Sequence, residues 1–340
     1  MNILVTGGAG YIGSHAALRL LSDGHAVTVI DNLVRGNRGA IEALEKLKGD
    51  FLFVNVDVGD RARLETILRQ RRIELVMHFA GLTYVGESVQ QPLRYYRANA
   101  AAALALVEAM EAADVKRMVF SSTAATYGEP APGHIPIAET CPQNPINPYG
   151  RSKLQVESML FDYAHAQRAA GKDFAFAALR YFNVAGADRQ GRLGEDHKPE
   201  THLIPICLEV ALGQREAITI FGADYPTPDG TCIRDYVHVE DLIDAHVVAM
   251  KALRVGDTRT YNIGIGRGYS VREVIECCRR VTGIRFAEKV GERRPGDPPS
   301  LYADPSKIGA ELYWRARITN LEEIVATAWR WKQAHPRGYS

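Results

Sequence analysis

No apolar run in this chain approaches the roughly 20 residues that a membrane-spanning helix requires. The first apolar stretch, Ile3 to Thr6, is too short for a signal peptide and meets glycines at once. An excess of one charge is also missing. The 41 Lys and Arg residues against 40 Asp and Glu leave a net charge of +1, so neither nucleic acid nor a membrane is expected as a partner. The five cysteines (Cys141, Cys207, Cys232, Cys277 and Cys278) form no C-x-x-C pair, and their odd number argues against a disulfide framework. These lacks together predict a cytoplasmic protein. Among ten histidines there is no H-E-x-x-H, and His238 near Glu240 and Asp241 is the nearest approach to a cluster, so no metal is expected. Internal repeats and low-complexity segments are absent as well.

What is present is a globular composition, 46% hydrophobic and 24% charged, over 340 residues, enough for one large or two ordinary domains. Apolar strands alternate with helical patterns through the first half. Asn2–Thr6, Ala26–Ile30, Phe51–Asn55, Leu75–Phe79, Arg117–Ser121 and Phe174–Arg180 read as strands. Tyr11–Leu21, Ala62–Arg71, an alanine-rich Pro92–Ala113 and Tyr149–Gln167 read as helices. Such alternation predicts an α/β fold, a Rossmann-type doubly wound parallel sheet, in which ligands sit beyond the carboxyl ends of the strands. Gly7, Asp31, Asp57, Ala80 and Thr123 all fall at such ends. After Asn183 the rhythm breaks and loops lengthen, with Gly186 to Thr201 polar and irregular. We therefore expect a dinucleotide-binding domain over 1–180 and a smaller α/β substrate domain over 181–340, the boundary approximate and the segments free to interleave.

Gly7, Gly10 and Gly13 follow the first strand and open a helix, and Asp31 ends the next strand. Glycines allow close approach to a pyrophosphate, and an acid about 20 residues on grips the adenosine ribose. The carboxylate of Asp31 predicts NAD, since it would repel a 2′-phosphate. Arg35 and Arg38 nearby leave NADP as a minority reading.

Tyr149 and Lys153, four residues apart, share one helix face. Bringing a tyrosine from its usual value near 10 to about 7 takes roughly 4 kcal/mol of preference for the phenolate. One cation about 5 Å away at an effective dielectric of about 20 supplies roughly 3 kcal/mol. Lys153 alone falls short, and Lys153 with a positively charged nicotinamide suffices. Thr123, at a strand end, can bond the same reacting oxygen. In the second half Arg234 and Arg294 are candidates for a diphosphate, and Phe221 for stacking on a base.

Thr123, Tyr149-x-x-x-Lys153 and the glycine pattern resemble the extended short-chain dehydrogenase/reductase superfamily. Gly7-Gly-Ala-Gly-Tyr-Ile-Gly13, Asp31-Asn32-Leu33, Phe79-Ala-Gly81, Val85-Gly-Glu-Ser88 and Phe120-Ser-Ser-Thr-Ala-Ala-Thr-Tyr-Gly128 resemble its UDP-glucose 4-epimerase family. That resemblance implies reversible inversion at C4 of a UDP-hexose with tightly held NAD. Thr123, Tyr149 and Lys153 would be catalytic. The cofactor would meet Gly7, Gly10, Tyr11, Ile12, Gly13, Asp31, Asn32, Asp57, Val58, Phe79, Ala80, Gly81, Asn99, Ser121, Tyr149, Lys153 and Tyr181. The sugar nucleotide would meet Ser122, Thr123, Tyr149, Asn183, His202, Leu203, Thr219, Phe221, Arg234, Arg294, Asp297 and Leu301. His202 stands where some members have asparagine, and a backbone contact there would tolerate the change. Thr83 stands where some have a cofactor-touching lysine. Members of this kind dimerise through the two helices 92–113 and 149–167, so a homodimer is expected. The rivals are a 4,6-dehydratase, disfavoured because Ala124-Ala125 replace an Asp-Glu pair, a UDP-glucuronate 4-epimerase with the same chemistry, and a non-catalytic NAD sensor.

Overall fold

The structure, a computed structural model, describes residues 1–294 and 297–339. Its strands are β1 (Asn2–Thr6), β2 (Ala26–Asp31), β3 (Phe51–Asn55), β4 (Leu75–His78), β5 (Arg117–Thr123), β6 (Ala175–Tyr181), β7 (Asn183–Ala185), β8 (Ala217–Phe221), β9 (Ile233–Arg234), β10 (Tyr236–His238), β11 (Thr258–Ile263), β12 (Tyr269–Ser270), β13 (Ala287–Gly291) and β14 (Ser300–Leu301). No helix among the described residues is long and apolar enough to cross a membrane.

The chain divides into two compact units. The first comprises Met1–Gly128, Gln143–Arg180 and Ile243–Tyr261; the second comprises Glu129–Pro142, Tyr181–Leu242 and the chain from Asn262 onward. One crossing therefore falls at 180, but 129–142 and 243–261 lie on the other side of a single cut. The reason is topological: β11 joins the edge of the first unit's sheet beside β6.

That sheet has the order β11-β6-β5-β4-β1-β2-β3, and β1 to β5 pair in parallel. The order reverses between β1 and β4, where a doubly wound sheet opens its ligand crevice. The strands bury both faces: Ile3, Leu4, Val5, Val76, Met77, Val119 and Phe120 are each 1% exposed or less, as a sheet covered by helices on two sides requires. In one layer Leu106, Val107, Val156 and Leu160 pack against it.

Pro92–Ala113, read as one helix, is interrupted. Pro92–Tyr95 is α-helical, Tyr96–Ala101 is a π-helix carrying Asn99, and Ala102–Ala112 is α-helical again. An alanine-rich sequence offers no local mark of that wider turn, and such turns are frequent at functional sites. The helix Pro148–Ala169 starts with proline at its first position, and the Asn147 side chain accepts from the Gly150 amide at 2.9 Å.

The second unit has its own core, in which Ile204, Leu208, Val274, Ile275, Ile324 and Val325 from three helices meet Ile218 and Ile220 of β8. Strand β7 pairs with β10, β8 with β13, and β9 lies between β12 and β14.

Candidate active site

In the first unit the chain turns at Gly7 with φ +70°. A Cβ on Gly7 would lie 2.6 Å from the Ala80 amide nitrogen, and one on Gly13 would lie 2.2 Å from the Gly7 carbonyl oxygen. That carbonyl accepts from the Gly10 amide at 3.1 Å, and Gly10 caps the helix Tyr11–Ser22, whose first turn holds Tyr11 and Ile12. The backbone thus forms a cradle closed to any side chain and opening on a helix N-terminus, which fits a dinucleotide pyrophosphate.

Asp31 ends β2 with its carboxylate accepting from the Ala9 amide at 3.1 Å and the Leu33 amide at 2.8 Å. Burial pushes its pKa up, and those two amides oppose the shift. Asn32 donates to Asp57 at 2.6 Å, Asp57 also accepts from the Gly59 amide, and Val58 is buried beside them. Both arginines that could have held a 2′-phosphate are engaged. Arg35 donates to Glu87 at 2.7 Å and lies 4.8 Å over the Tyr84 ring; Arg38 donates to Glu45 at 2.9 Å. With Asp31 and without a free arginine, this end of the site suits NAD.

Phe79-Ala80-Gly81 follow β4. A Cβ on Gly81 would lie 3.0 Å from Asn99 Oδ1 and 3.4 Å from Lys153 Nζ. Asn99 accepts from the Leu82 amide at 2.7 Å and donates to the Leu82 carbonyl at 3.0 Å and to Ser152 Oγ at 2.9 Å. Through this amide the π-turn is hydrogen-bonded to the helix Pro148–Ala169. Lys153 donates to the Ser121 carbonyl at 3.0 Å, 5.0 Å over the Phe120 ring. Burial brings it down to about 8, with Glu157 opposing.

Tyr149 is buried, with the Thr123 side chain beside its phenol, and the Thr123 hydroxyl accepts from the Ala125 amide at 3.1 Å. Burial raises the phenol above its ordinary value while Thr123 pulls it down. Tyr149 and Lys153 share a helix face, and the Lys153 ammonium is directed at the Ser121 carbonyl.

Ser122 also stands differently from its expected sugar contact. It is fully buried, and its hydroxyl donates to Glu157. Glu157 in turn accepts from Arg180 at 3.0 and 3.1 Å, and Arg180 donates to the Tyr127 hydroxyl at 2.9 Å. The sequence reading missed this pair, although Glu157 continues the four-residue spacing of Tyr149 and Lys153 along one helix face. It missed His78 too, whose Nδ1 meets Thr6 Oγ1 at 2.7 Å below the glycine turn. Burial, with Lys153 nearby, holds that imidazole neutral at about 3.

In the second unit Tyr181 ends β6, and Asn183 opens β7 with its amide donating to the Asp235 carbonyl at 3.1 Å. Arg234 on β9 pairs with Asp297 and also donates to the Ile233 carbonyl at 2.7 Å. Leu301 on β14 is in register with Arg234, so three of the expected sugar-nucleotide residues are neighbours. Thr219 and Phe221 lie on β8. The Arg294 guanidinium stacks 4.0 Å over the Phe221 ring, so a base and a diphosphate would each have to part this pair. His202 caps the helix Leu203–Ala211. Its amide donates to Glu200 at 2.8 Å.

Residues 3–264 match the family described as NAD dependent epimerase/dehydratase. The chain is 50% identical to UDP-glucose 4-epimerase of Halalkalibacterium halodurans, over 100% of this chain and 98% of that one. It is 47% identical to probable UDP-arabinose 4-epimerase 3 of Oryza sativa subsp. japonica, over 99% and 84%. The crystal structure of UDP-glucose 4-epimerase from Bifidobacterium longum in complex with NAD+ and UDP superposes with a TM-score of 0.94 at 38% identity, covering 99% of this chain and 100% of that one. With that family match over most of the chain and these identities along its whole length, the chain belongs to the NAD dependent epimerase/dehydratase family.

Proposed function

We infer that this chain is an NAD-dependent isomerase that inverts C4 of a UDP-sugar, interconverting UDP-glucose and UDP-galactose through a 4-keto intermediate. The observation that carries the residue roles is the buried Tyr149 phenol beside Thr123, at the end of β5 on the same strand-end rim as the glycine cradle and Asp31. Tyr149 Oη takes the proton of the 4-hydroxyl, and Thr123 Oγ positions that oxygen. NAD supplies a reversible acceptor for the hydrogen at C4. Lys153 adds a positive charge near the ribose end of the cofactor seat, while Asn99 holds Gly81 and Ser152 in place around it. Return of hydrogen and proton to the opposite face of the ketone gives the epimer, and Tyr149 gives back the proton it took. In the second unit Arg234, Arg294 and Phe221 grip the diphosphate and base, with Asn183, His202, Leu203, Thr219 and Asp297 completing the seat.

The test is incubation with UDP-galactose without added NAD, followed by identification of the sugars and of the nucleotide released on denaturation. UDP-glucose and NAD are expected. NADP in the supernatant would overturn the reading of Asp31 and its engaged arginines, and absence of turnover with NAD retained would favour a sensor. UDP-arabinose and UDP-glucuronate belong in the same assay, because the rice relative at 47% identity carries the name of a UDP-arabinose 4-epimerase and only the C6 group distinguishes these sugars from the hexoses.

Leu301 is proposed as the gate beside the C2 substituent. It is shorter than tyrosine, has no hydroxyl, and sits in register with Arg234, so N-acetylated UDP-sugars are expected as secondary substrates. Leu301→Tyr should lower turnover of UDP-N-acetylgalactosamine at least about tenfold, a steric loss of about 1.4 kcal/mol, and spare UDP-galactose. Equal loss on both substrates would make Leu301 structural.

Pairing of two copies through the helices Pro92–Ala112 and Pro148–Ala169 is the companion proposal. It is supported by a groove of about 800 Å³ lined by Tyr96, Leu154, Met159, Tyr163 and Ala166, and by the exposure of Leu93 and Phe161. A monomer in solution would end that part of the reading.

A further inference from the structure

We propose that Glu195, His197, Glu200 and His202 form a binding site for a single divalent first-row metal ion, with zinc the best fit. The four residues follow an E-x-H-x-x-E-x-H spacing on the irregular stretch before the helix Leu203–Ala211. That spacing belongs to no helical pattern, which is why the sequence alone did not mark it.

The geometry is convergent. One ligand atom from each residue lies within 4.8 Å of all the others. His197 Nδ1 and His202 Nδ1 stand 3.1 and 3.0 Å from the same oxygen, Glu195 Oε1. Glu200 Oε1 is 2.9 Å from His202 Nδ1, and Glu200 Oε2 is 3.7 Å from His197 Nδ1. Ligands about 2.0–2.2 Å from a tetrahedral zinc stand roughly 3.3–3.6 Å from one another, so drawing in the widest pair by about 1 Å, a side-chain adjustment, completes the shell. Two imidazole nitrogens with two carboxylates are a ligand set that zinc accepts, and four protein ligands make a closed, structural site.

Charge balance points the same way. The carboxylates of Glu195 and Glu200 are 7% and 4% exposed. The two imidazole rings stand beside these carboxylates with centroids 5.0 Å apart. One divalent ion between them neutralises both carboxylates at once. Supporting contacts are in place, because Glu200 Oε1 also accepts from the Thr201 and His202 amides at 2.7 and 2.8 Å, fixing the carboxylate's orientation. The His202 side chain is 43% exposed and gives the ion a way in. Bound there, the metal would tie the irregular stretch to the first turn of the following helix.

The experiment uses the full chain, stripped with a chelator, dialysed against zinc chloride alone at micromolar free zinc, and read by elemental analysis. About one zinc per chain is expected, with a rise in melting temperature on addition of zinc. Replacing zinc by cobalt should give visible d–d bands without a sulfur-to-cobalt charge-transfer band. The second mark matters because all five cysteines lie in this unit as alternative soft ligands. His197→Gln with His202→Gln should lose stoichiometric zinc, as should Glu195→Gln, which keeps side-chain volume and serves if the double variant fails to fold. Failure of the stripped chain to take up zinc, undiminished zinc in a folded variant, or a thiolate band would each overturn the proposal. The first of these outcomes would mean a cluster held by protons alone.

Discussion

Tyr149→Phe is expected to lose about 10²–10⁴-fold in turnover of UDP-galactose while keeping the fold and the bound NAD. The substitution removes one hydroxyl and no carbon, so the buried ring keeps its packing against Leu82 and Tyr95. Thr123 keeps its bond from the Ala125 amide, and the glycine cradle lies on other elements. What disappears is the only group proposed to accept the 4-hydroxyl proton. Rates measured alongside the NAD released on denaturation separate this from loss of cofactor. Turnover near that of the parent would mean that Tyr149 is not the base.

Glu157→Ala is expected to cost about 3–5 kcal/mol of stability, because it leaves the Arg180 guanidinium buried without its carboxylate. Arg180 and Glu157 side chains are 4% and 1% exposed, so water cannot take the place of the lost partner. Ser122 loses its acceptor in the same step. The expected fall in melting temperature, followed by circular dichroism, is roughly 4–7 °C for a chain of this size. Replacing both partners, Glu157→Leu with Arg180→Met, should recover most of that loss, since an apolar pair has no charge to strand. A change below about 1 °C in the single variant would show that the pair is not what holds this layer.

The parts of this protein that were legible in the sequence are those where the chemistry is local. A strand that runs into Gly7, Gly10 and Gly13 and then a helix can do little else with its backbone, and Asp31 follows at the distance that one helix and one strand impose. Tyr149 and Lys153 were found because helical spacing ties them. The direction of the Lys153 ammonium was not, because it depends on the Ser121 carbonyl, 32 residues away in sequence. The same holds for Arg294 over Phe221 and for Ser122 under Glu157: side chains choose partners that only the fold brings within reach. The π-turn at Tyr96–Ala101 escaped for another reason. Its residues suit an α-helix, and the Asn99 bonds to Leu82 and Ser152 made within it join residues far apart in sequence. The cluster from Glu195 to His202 escaped because the pattern searches that find metal ligands rely on helical or hairpin spacing.

Thr258–Ile263 forms the outermost strand beside Ala175–Tyr181, and this has a consequence for how the polypeptide is made. A ribosome delivers the neighbour strand first and its partner only after about 80 more residues. At about 5–20 residues per second that interval is roughly 4–16 s. Throughout it the nascent sheet presents a bare row of amides and carbonyls on a strand whose inner residues, Phe176 to Leu179, are fully apolar. Bare edges of that kind recruit other chains. The exposure is built into the order of translation and lasts until the closing strand has emerged.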